Sequence, residues 1–402
     1  MKTLLAGKKI LFGITGSIAA YKAAAWVREL AEAGAIVTVV MTPAAANFVS
    51  SLTFAALSGQ RVYTGMFEPD AGEAMTHISL ARESDLCIIA PATAQSIAKL
   101  ASGLADDLLA ALVLATKTKV LIFPAMNSNM YCHAATQANI SRLLEYGYGV
   151  VAPEQGKLAC GDEGIGRLVD WETAREEIVS VFADQDLQDR TILVTAGPTW
   201  EPFDPARHLS NRASGKMGYA LARAARRRGA KVILVSGPSA IAPPFGVEVV
   251  NIMSAQEMHA AVMKHYSSVD IVVMAAAVSD YRPGKSRTEK IKKGSKAVDL
   301  QLVPNPDILK ELGRKKKRAK KTLLVGFAAE SSDHIEEGRR KLKEKNLDLI
   351  VINDIVGKET GFGVDTNQVS LIDRDYQLEK LPLLSKEECA DIIWDKVVKL
   401  LA

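Results

Sequence analysis

Two short glycine-containing turns carry residue types that bind phosphate groups. The first, residues 13–17, lies between apolar residues 10–12 and a helical stretch at 18–33. The second, residues 195–199, follows apolar residues 191–194 and precedes another helical stretch. A strand, a glycine turn and a helix in this order offer backbone N–H groups and a helix N-terminus to an anion. Two such turns on one chain predict two nucleotide-handling domains and two linked chemical steps.

Gly16, Ser17 and Thr42 indicate which kind of nucleotide the first turn would hold. Ser17 supplies a hydroxyl group next to a predicted helix start. The spacing departs from Gly-x-Gly-x-x-Gly, and Thr42 ends the second apolar stretch, where NAD enzymes carry an acid that binds the ribose. A mononucleotide is therefore favoured over a dinucleotide, and an NAD-dependent oxidoreductase becomes the weaker alternative.

The four cysteines differ in their surroundings. Cys87 lies in an apolar run, which favours inert packing in the core. Cys160 instead lies among glycines, in the stretch 156–166, and such a stretch can form a mobile lid. In the sequence the cysteines show no paired metal-ligand spacing, and scattered thiols predict a reducing cytoplasm.

Alternating apolar and helical stretches would position these residues. Apolar runs recur in both halves, at residues 36–41, 86–90, 120–123, 232–236, 270–274, 323–326 and 349–353. This alternation predicts an α/β fold of two doubly wound, Rossmann-like domains, each a parallel sheet with helices on both faces. The carboxyl ends of the strands would converge on a crevice that binds ligands.

The domain boundary and the end of the chain have their own signals. Residues 185–190 are polar and lack apolar periodicity, so we predict domains at 1–189 and 190–402. The second domain would end in a hairpin at 368–382 and a closing helix at 386–401.

Composition and charge exclude several classes of protein. Of 402 residues, 48% are hydrophobic and 24% charged, which is typical of a soluble globular protein. We find no targeting signal and no apolar stretch of the roughly 20 residues that would span a membrane. The net charge of +4 is too small to indicate nucleic-acid binding. The basic run 314–321 keeps a nucleic-acid-binding regulator as an alternative, but it has no interleaved aromatics and favours a solvated surface.

Six motifs of the first half resemble the flavin-dependent cysteine decarboxylases. They lie at residues 16–22, 76–78, 90–94, 103–107, 124–127 and 159–161. The resemblance implies a flavodoxin-like domain that binds FMN. Loss of CO₂ from a cysteine carboxylate lacks an electron sink, and transient oxidation of the thiol to a thioaldehyde supplies one.

The same resemblance implies roles for individual residues. The FMN-binding residues would be Gly16, Ser17, Ile18, Thr42, Ala92 and Thr93. His77 would be the active-site base or would orient the substrate, Asn127 would bind the substrate carboxylate through its amide N–H, and Cys160 would donate a proton to the product. Asp106 and Asp107 could form an acid pair, but a helix-start role is favoured.

The second half resembles the CTP-dependent phosphopantothenate–cysteine ligases. The motifs lie at residues 195–199, 201–202, 210–211, 214–218, 275–280, 290–293, 304–308, 326–330 and 353–354. The resemblance implies that the carboxylate of 4′-phosphopantothenate attacks the α-phosphorus of CTP, which gives an acyl-cytidylate and pyrophosphate. The amine of cysteine then attacks the acyl carbon. Such chemistry depends on positioning and charge neutralisation, commonly with Mg²⁺.

Residue roles in the ligase follow from this resemblance. The residues that would contact CTP are Asp280, Lys290, Asn305, Pro306, Asp307, Ile308, Phe327, Lys341 and Lys345. Asp280 would contact the nucleotide or Mg²⁺, and Lys290 would stabilise the triphosphate from a mobile flap at 283–296. Lys341 and Lys345 are four residues apart on a predicted helix and share one face. Asn211 would hold the acyl-cytidylate or assist its breakdown.

Together the two resemblances point to the bifunctional decarboxylase–ligase enzymes of coenzyme A biosynthesis. The ligase product, 4′-phosphopantothenoylcysteine, would be the substrate of the decarboxylase. The family resemblance further implies a homo-oligomer without nucleic-acid or membrane partners. It would combine trimers of the first domain with dimers of the second in a dodecamer.

Overall fold

The computed structural model describes residues 2–66, 76–157, 161–293, 298–319, 322–330, 334–354 and 363–401. The chain forms two compact units, Met1–Ala183 and Asp184–Ala402. Asp186 pairs with Arg228, so the stretch just before Arg190 packs within the second unit. The assignment of separate activities to 1–189 and 190–402 stays a prediction.

The first unit alternates strands and helices along most of its length. Its elements are α1 (Lys2–Leu5), β1 (Lys9–Ile14), α2 (Ala20–Glu32), β2 (Ile36–Met41), α3 (Ser51–Ser58), β3 (Val62–Tyr63), α4 (Thr76–Glu83), β4 (Leu86–Ala92), α5 (Ala94–Ser102), α6 (Leu108–Ala115), β5 (Lys119–Pro124), α7 (Ser128–Cys132), α8 (Ala134–Glu145), β6 (Gly149–Val150), β7 (Glu154–Lys157), β8 (Glu163–Arg167) and α9 (Trp171–Phe182).

The central sheet of the first unit is parallel. Within the described ranges its strand order is β3-β2-β1-β4-β5-β6. Without the two-residue edge strand β3, the remaining five strands follow the flavodoxin order. Separate apolar clusters cover the two faces, one around Phe12 and Trp26 and the other around Ile89 and Leu109. The predicted doubly wound fold is confirmed.

The second unit repeats this alternation and adds short antiparallel pairs. Its elements are β9 (Thr191–Ala196), β10 (Trp200–Asp204), β11 (Arg207–Ser210), α10 (Lys216–Arg227), β12 (Lys231–Ser236), β13 (Glu248–Asn251), α11 (Ala255–His265), β14 (Ile271–Met274), β15 (Tyr281–Pro283), β16 (Leu302–Pro304), α12 (Ile308–Ala319), β17 (Leu323–Glu330), α13 (His334–Glu344), β18 (Leu349–Asp354), β19 (Thr366–Asn367), β20 (Val369–Asp373), β21 (Leu378–Lys380), β22 (Leu384–Ser385) and α14 (Lys386–Leu401).

The main sheet of the second unit combines six parallel strands with an antiparallel extension. In the described residues the order is β13-β12-β9-β14-β17-β18-β20-β21. The predicted hairpin is β20–β21, and the predicted closing helix is α14, so both expectations are confirmed. Helix α14 packs against α10, where buried Trp394 donates its indole N–H to the carbonyl of Leu221 at 2.9 Å.

Two runs of basic residues lie on helices of the second unit. The first includes Arg226 and Arg227, which end α10 just before Gly229, where φ is +90°, as is usual at a helix C-terminus. The second run begins on α12, where Lys315 pairs with Glu311 and Lys316 pairs with Asp348. Across the described ranges, no helix is both long enough and apolar enough to cross a membrane.

Candidate active sites

In the first unit, hydrogen bonds join the loops that follow β1, β2, β4 and β5. The Thr42 N–H donates to the Ile14 carbonyl at 3.0 Å, and the Thr15 hydroxyl donates to the Pro91 carbonyl at 2.7 Å. The Thr93 N–H in turn donates to Thr15 Oγ1 at 3.0 Å. Thus the predicted FMN-binding residues near 16–18, Thr42 and Thr93 lie at one edge of the sheet, as parallel strands require.

Gly16 permits close packing of the first two loops. A Cβ atom at Gly16 would lie 2.5 Å from the Cβ of Ala44, so a side chain would push the loops apart. Beside it, the Ser17 Oγ accepts a hydrogen bond from the Ala19 N–H at 3.3 Å, and α2 begins at Ala20. Ile18 is 54% exposed. A glycine turn that leads directly into a helix start is the arrangement that binds phosphate groups in nucleotide-binding folds.

The threonines of this edge differ in their hydrogen bonding. Thr93 caps α5 by accepting a hydrogen bond from the Ser96 N–H at 3.3 Å, whereas Ala92 is buried at the end of β4. Thr42 Oγ1 is buried and has no hydrogen-bond partner among the described residues. A buried hydroxyl without a partner costs free energy, so this position fits a ligand that supplies the missing bond.

Asn127 lies between β5 and α7, next to the β7–β8 hairpin. Its Oδ1 accepts a hydrogen bond from the Asn129 N–H at 2.8 Å and caps α7. The Met126 N–H donates to the Gly166 carbonyl at 3.0 Å, which holds β8 against this loop. Residues 158–160 lie outside the described residues, and the prediction for Cys160 with them.

Two further predictions concern α4 and α6. His77 is half-buried on α4, and α4 packs against α6. Asp107 accepts a hydrogen bond from the Ala110 N–H at 2.9 Å, and both Asp106 and Asp107 pair with Lys99. Asp107 therefore caps α6, in agreement with the helix-start role favoured over an acid pair.

The second unit contains a cavity of about 600 Å³ beyond the carboxyl ends of β9, β14, β17 and β18. The predicted ligand residues that line it are Asn211, Asp280, Asn305, Pro306, Asp307, Ile308, Phe327, Lys341 and Lys345. Among the described residues, its charged lining consists of five lysine or arginine side chains and two aspartates. The cavity is thus large enough for a nucleotide and carries an excess of positive charge for an anion.

Hydrogen bonds fix the loop that follows β14. Asn211 donates its amide N–H to the carbonyls of Ala277 and Val278 at 3.1 and 3.3 Å. The amide N–H of Asn305 donates to the Ser279 carbonyl at 2.9 Å, and its backbone N–H donates to the Asp280 carbonyl at 2.8 Å. Asp280 remains exposed at the cavity.

Helix α13 and the residue that directly follows it bring two lysines to the cavity. Lys341 and Lys345 are both half-buried, and the Lys345 Nζ lies 2.9 Å from a carboxylate oxygen of Asp307. Asp307 also accepts a hydrogen bond from the Lys310 N–H at 3.0 Å at the start of α12. Phe327 packs on the apolar cluster of the α10 side. Asp307 therefore holds Lys345 in place in addition to lining the cavity.

The structure places Lys290 apart from the cavity lining. The neighbouring Ile291 N–H donates to Asp204 Oδ2 at 3.1 Å, and the Ile291 carbonyl accepts from Arg207 at 2.7 Å. These contacts hold the segment against the β10–β11 hairpin. The role of Lys290 at the triphosphate stays a prediction. It requires the segment around residues 290–291 to move from the hairpin to the cavity.

Sequence reasoning did not assign several polar residues that line the cavity, among them Lys216, Asn353, Asn367 and Lys386. Lys216 and Asn353 belong to motifs of the ligase resemblance, which implies no individual role for them. Asn353 Oδ1 is buried and has no hydrogen-bond partner among the described residues. Asn367 and Lys386 come from the end of the chain, where only a hairpin and a helix were expected.

Comparison with known proteins defines the class of protein. The Flavoprotein family matches residues 1–183, and the DNA/pantothenate metabolism flavoprotein C-terminal domain matches residues 187–401. The chain thus joins a flavoprotein domain of parallel-sheet α/β type to a pantothenate-metabolism domain of the same type.

Full-length relatives define the particular family. The chain is 44% identical over 401 residues to Coenzyme A biosynthesis bifunctional protein CoaBC of Bacillus subtilis (strain 168), covering 99% of this chain and 98% of that protein. It is 44% identical over 398 residues to the protein of the same name in Escherichia coli (strain K12), covering 98% and 97%. A crystal structure of the C-terminal domain of a CoaBC protein aligns with 42% identity and a TM-score of 0.47, covering 54% of this chain and 98% of that one. The chain belongs to the CoaBC family of bifunctional coenzyme A biosynthesis proteins.

Family membership decides between the sequence-based alternatives. The resemblance to the bifunctional decarboxylase–ligase enzymes is confirmed. The NAD-dependent oxidoreductase and the nucleic-acid-binding regulator are therefore set aside as functions of this chain.

Proposed function

We propose that each unit of this phosphopantothenoylcysteine decarboxylase and phosphopantothenate–cysteine ligase catalyses one of the two reactions. The second unit uses CTP to join cysteine to 4′-phosphopantothenate, and the first unit decarboxylates the product with FMN to give 4′-phosphopantetheine. The observation that carries the ligase assignment is the cavity of about 600 Å³, whose lining gathers nine of the residues expected to contact substrates.

In the ligase step, the second unit orients two anions that repel each other. A carboxylate oxygen of 4′-phosphopantothenate attacks the α-phosphorus of CTP, and the bond from that phosphorus to the bridging oxygen breaks. Pyrophosphate leaves with the electron pair. Lys341, Lys345 and the start of α10 neutralise the charge. Asn211, anchored to the carbonyls of 277 and 278, would hold the acyl-cytidylate until the cysteine amine attacks.

Mg²⁺ fits the acidic residue at the edge of this cavity. Among the described residues, no group of three or more His, Cys, Asp or Glu side chains is arranged for a metal ion. Mg²⁺ in nucleotide enzymes often takes only one or two carboxylates and completes its shell with phosphates and water. Exposed Asp280 fits that role. Asp280→Asn should raise the Mg²⁺ concentration that supports half-maximal ligation, and an unchanged value would remove Asp280 as the ligand.

The decarboxylase site is supported by the loops at the sheet edge of the first unit. Gly16 and Ser17 would hold the phosphate of FMN, and the unpartnered Thr42 hydroxyl would bond to the cofactor. When bound, FMN would supply the redox step that makes loss of CO₂ possible. Asn127 would orient the substrate carboxylate, His77 would hold a proton or orient the substrate, and Cys160 would protonate the product.

A homo-oligomer would supply further walls for the cofactor. The cleft beside Thr42 measures only about 10 Å³, whereas Ile18, Tyr21 and Leu52 are more than half exposed around the adjoining loops. Apolar side chains exposed beside an incomplete site are typical of subunit interfaces. We infer trimers through the first unit and dimers through the second, within a cytoplasmic enzyme. Light scattering of the purified chain measures the assembly, and a monomer that retains FMN would exclude trimerisation as the source of these walls.

One purified preparation tests the main proposal. The protein should show a flavin spectrum, release pyrophosphate over many turnovers only when CTP, cysteine and 4′-phosphopantothenate are all present, and release CO₂ from 4′-phosphopantothenoylcysteine. ATP in place of CTP tests the nucleotide. Pyrophosphate release without flavin would reject the FMN assignment alone, and flavin without pyrophosphate release would reject the ligase assignment alone.

A further inference from the structure

Helix α7, which follows Asn127, depends on hydrogen bonds for its position. None of its five residues, all within the described range 76–157, is buried. Tyr131 is half-buried against the apolar cluster around Ile89 and Leu109. A helix of one turn gains little from its own backbone hydrogen bonds, so the contacts at its two ends largely decide where it lies.

Asn127 fixes the N-terminal end of α7 and, with it, the direction of its own amide group. Its Oδ1 accepts a hydrogen bond from the Asn129 N–H at 2.8 Å, and its backbone carbonyl accepts one from the Tyr131 N–H at 3.0 Å. An asparagine amide has one acceptor end and one donor end. Because the helix cap uses the acceptor end, the NH₂ group is the end that can donate to a carboxylate. The position of α7 therefore sets the direction of this donor.

Gln137 holds the C-terminal end of the same helix. It is half-buried on α8, and its Nε2 donates to the backbone carbonyl of Tyr131 at 2.6 Å. The last carbonyls of a helix have no partner within that helix, so Gln137 satisfies one of the carbonyls at the end of α7. Helix α8 itself is anchored in the core through Ile140 and Leu143. Gln137 thus joins a short helix to a firmly packed one.

The β7–β8 hairpin contacts α7 near its start. A Cβ atom at Gly164 would lie 2.7 Å from the Oγ of Ser128, so β8 and the first residue of the helix pack closely. The hairpin therefore holds the Ser128 end of α7, whereas the hydrogen bond from Gln137 holds the Tyr131 end. Loss of that hydrogen bond would loosen the Tyr131 end and let the helix turn about its fixed start.

We propose that Gln137 is a positioning residue for decarboxylation, which fixes α7 so that the amide of Asn127 meets the carboxylate that is lost as CO₂. The proposal rests on the proposed function, in which Asn127 orients this carboxylate. In this role Gln137 contacts neither the substrate nor FMN, and no proton moves through it. It acts only through the Tyr131 carbonyl, and small displacements of a group that orients a substrate have large effects on rate.

Decarboxylation by the full-length enzyme tests this role. Gln137→Met keeps the length of the side chain but removes the donor, and it should lower kcat for CO₂ release from 4′-phosphopantothenoylcysteine about tenfold. The inhibition constant of 4′-phosphopantetheine, which lacks the carboxylate, should stay within about twofold. The FMN content and the ligase activity should not change. Ala138→Met, at the adjacent exposed position of α8, introduces the same side chain and is the matched control, with unchanged decarboxylation.

Gln137→Glu adds a pH dependence that loss of packing alone would not produce. An ionised glutamate only accepts hydrogen bonds and repels the Tyr131 carbonyl, whereas a protonated one can donate to it. A nearby carbonyl oxygen favours the protonated form and so raises the carboxyl pKa above its ordinary value of about 4.3. The rate of CO₂ release relative to wild type should therefore rise about threefold or more between about pH 8 and about pH 5.5. The same ratio for Gln137→Met, which has no carboxyl group, should stay constant.

Asn127→Ala, measured beside these variants, separates the proposal from the function on which it rests. It should lower CO₂ release more than Gln137→Met does and also leave inhibition by 4′-phosphopantetheine unchanged. Normal decarboxylation in Gln137→Met together with a loss in Asn127→Ala would overturn the role of Gln137 alone. Loss of FMN, or equally weakened inhibition by 4′-phosphopantetheine, in Gln137→Met would also overturn it, since the glutamine would then support the fold. Normal decarboxylation in Asn127→Ala would instead reject the proposed role of Asn127.

Discussion

The two units place ligand-binding residues at the same position of similar sheets but build that position differently. In the first unit, the loops after the strands bond to one another, as Thr15 does to Pro91 and Thr93. In the second unit, the corresponding loops surround a cavity of about 600 Å³ with cationic side chains. A cofactor that stays bound is compatible with tightly joined loops, whereas a nucleotide that is consumed must enter and leave in each cycle.

The largest expected effect comes from a variant that disrupts the decarboxylase site of the first unit and leaves the ligase site of the second unit intact. Gly166 has φ +145°, and a Cβ atom there would lie 2.2 Å from the Met126 carbonyl oxygen. Gly166→Ala should therefore displace the Asn127 loop and lower decarboxylation by about 100-fold, because small displacements at a reacting centre have effects of this size. CO₂ release from supplied 4′-phosphopantothenoylcysteine measures the loss, and pyrophosphate release measures the ligase.

The matched control for this variant is Gly147→Ala. Gly147 also has positive φ, +84°, but no atom of the described residues contacts its added Cβ within 4 Å. It should retain decarboxylation. An equal loss of both activities in Gly166→Ala would mean that the two sites do not fail independently, contrary to the comparison above.

The second prediction concerns a variant that removes one positive charge from the lining of the cavity in the second unit. Lys345→Ala removes a half-buried charge that faces the cavity and should raise the KM for CTP about tenfold, while decarboxylation stays unchanged. Lys343→Ala, exposed in the last turn of α13 two residues before Lys345 and outside the cavity lining, is the control. If both variants raise KM equally, the effect comes from the net charge of α13 and not from a contact at the site.

The sequence predicts the position of a site residue where that position depends on a local pattern, such as the end of an apolar strand. Apolar runs fixed the parallel strands, so the loops bearing Ser17, Thr42 and Asn305 could be placed at strand ends. Contacts between distant parts of the chain left no such signal. Lys216 and Lys386, which are far apart in the sequence, both contact residues 363–365, and the segment of Lys290 is held by Asp204 from another hairpin. Neither contact has a periodicity or a spacing that a sequence could display.

A smaller effect sharpens the assignment of the first site. Thr42→Val keeps the shape of the side chain but removes the unpartnered hydroxyl. If FMN supplies its partner, the affinity for FMN should fall about fivefold, as for one neutral hydrogen bond, and Thr42→Ser should restore it. Fluorescence titration of the apoprotein with FMN measures both. A Thr42→Val protein that binds FMN as well as the wild type would show that the hydroxyl has no bond to the cofactor.

The smallest effect concerns the hairpin that holds the segment of Lys290. Burial raises the pKa of Asp204, but hydrogen bonds from Arg207 and from the N–H groups of Ala206 and Ile291 outweigh it and hold the pKa at about 2, below the ordinary 3.8. A lowered carboxyl pKa stabilises the fold above the unfolded-state value, and this stabilisation is lost as pH falls toward 2. Asp204→Asn should therefore lower the urea midpoint of the second unit at pH 7 by more than at pH 3. An equal loss at both pH values would mean that the Asp204 charge does not hold this hairpin, and that Lys290 is positioned by other contacts.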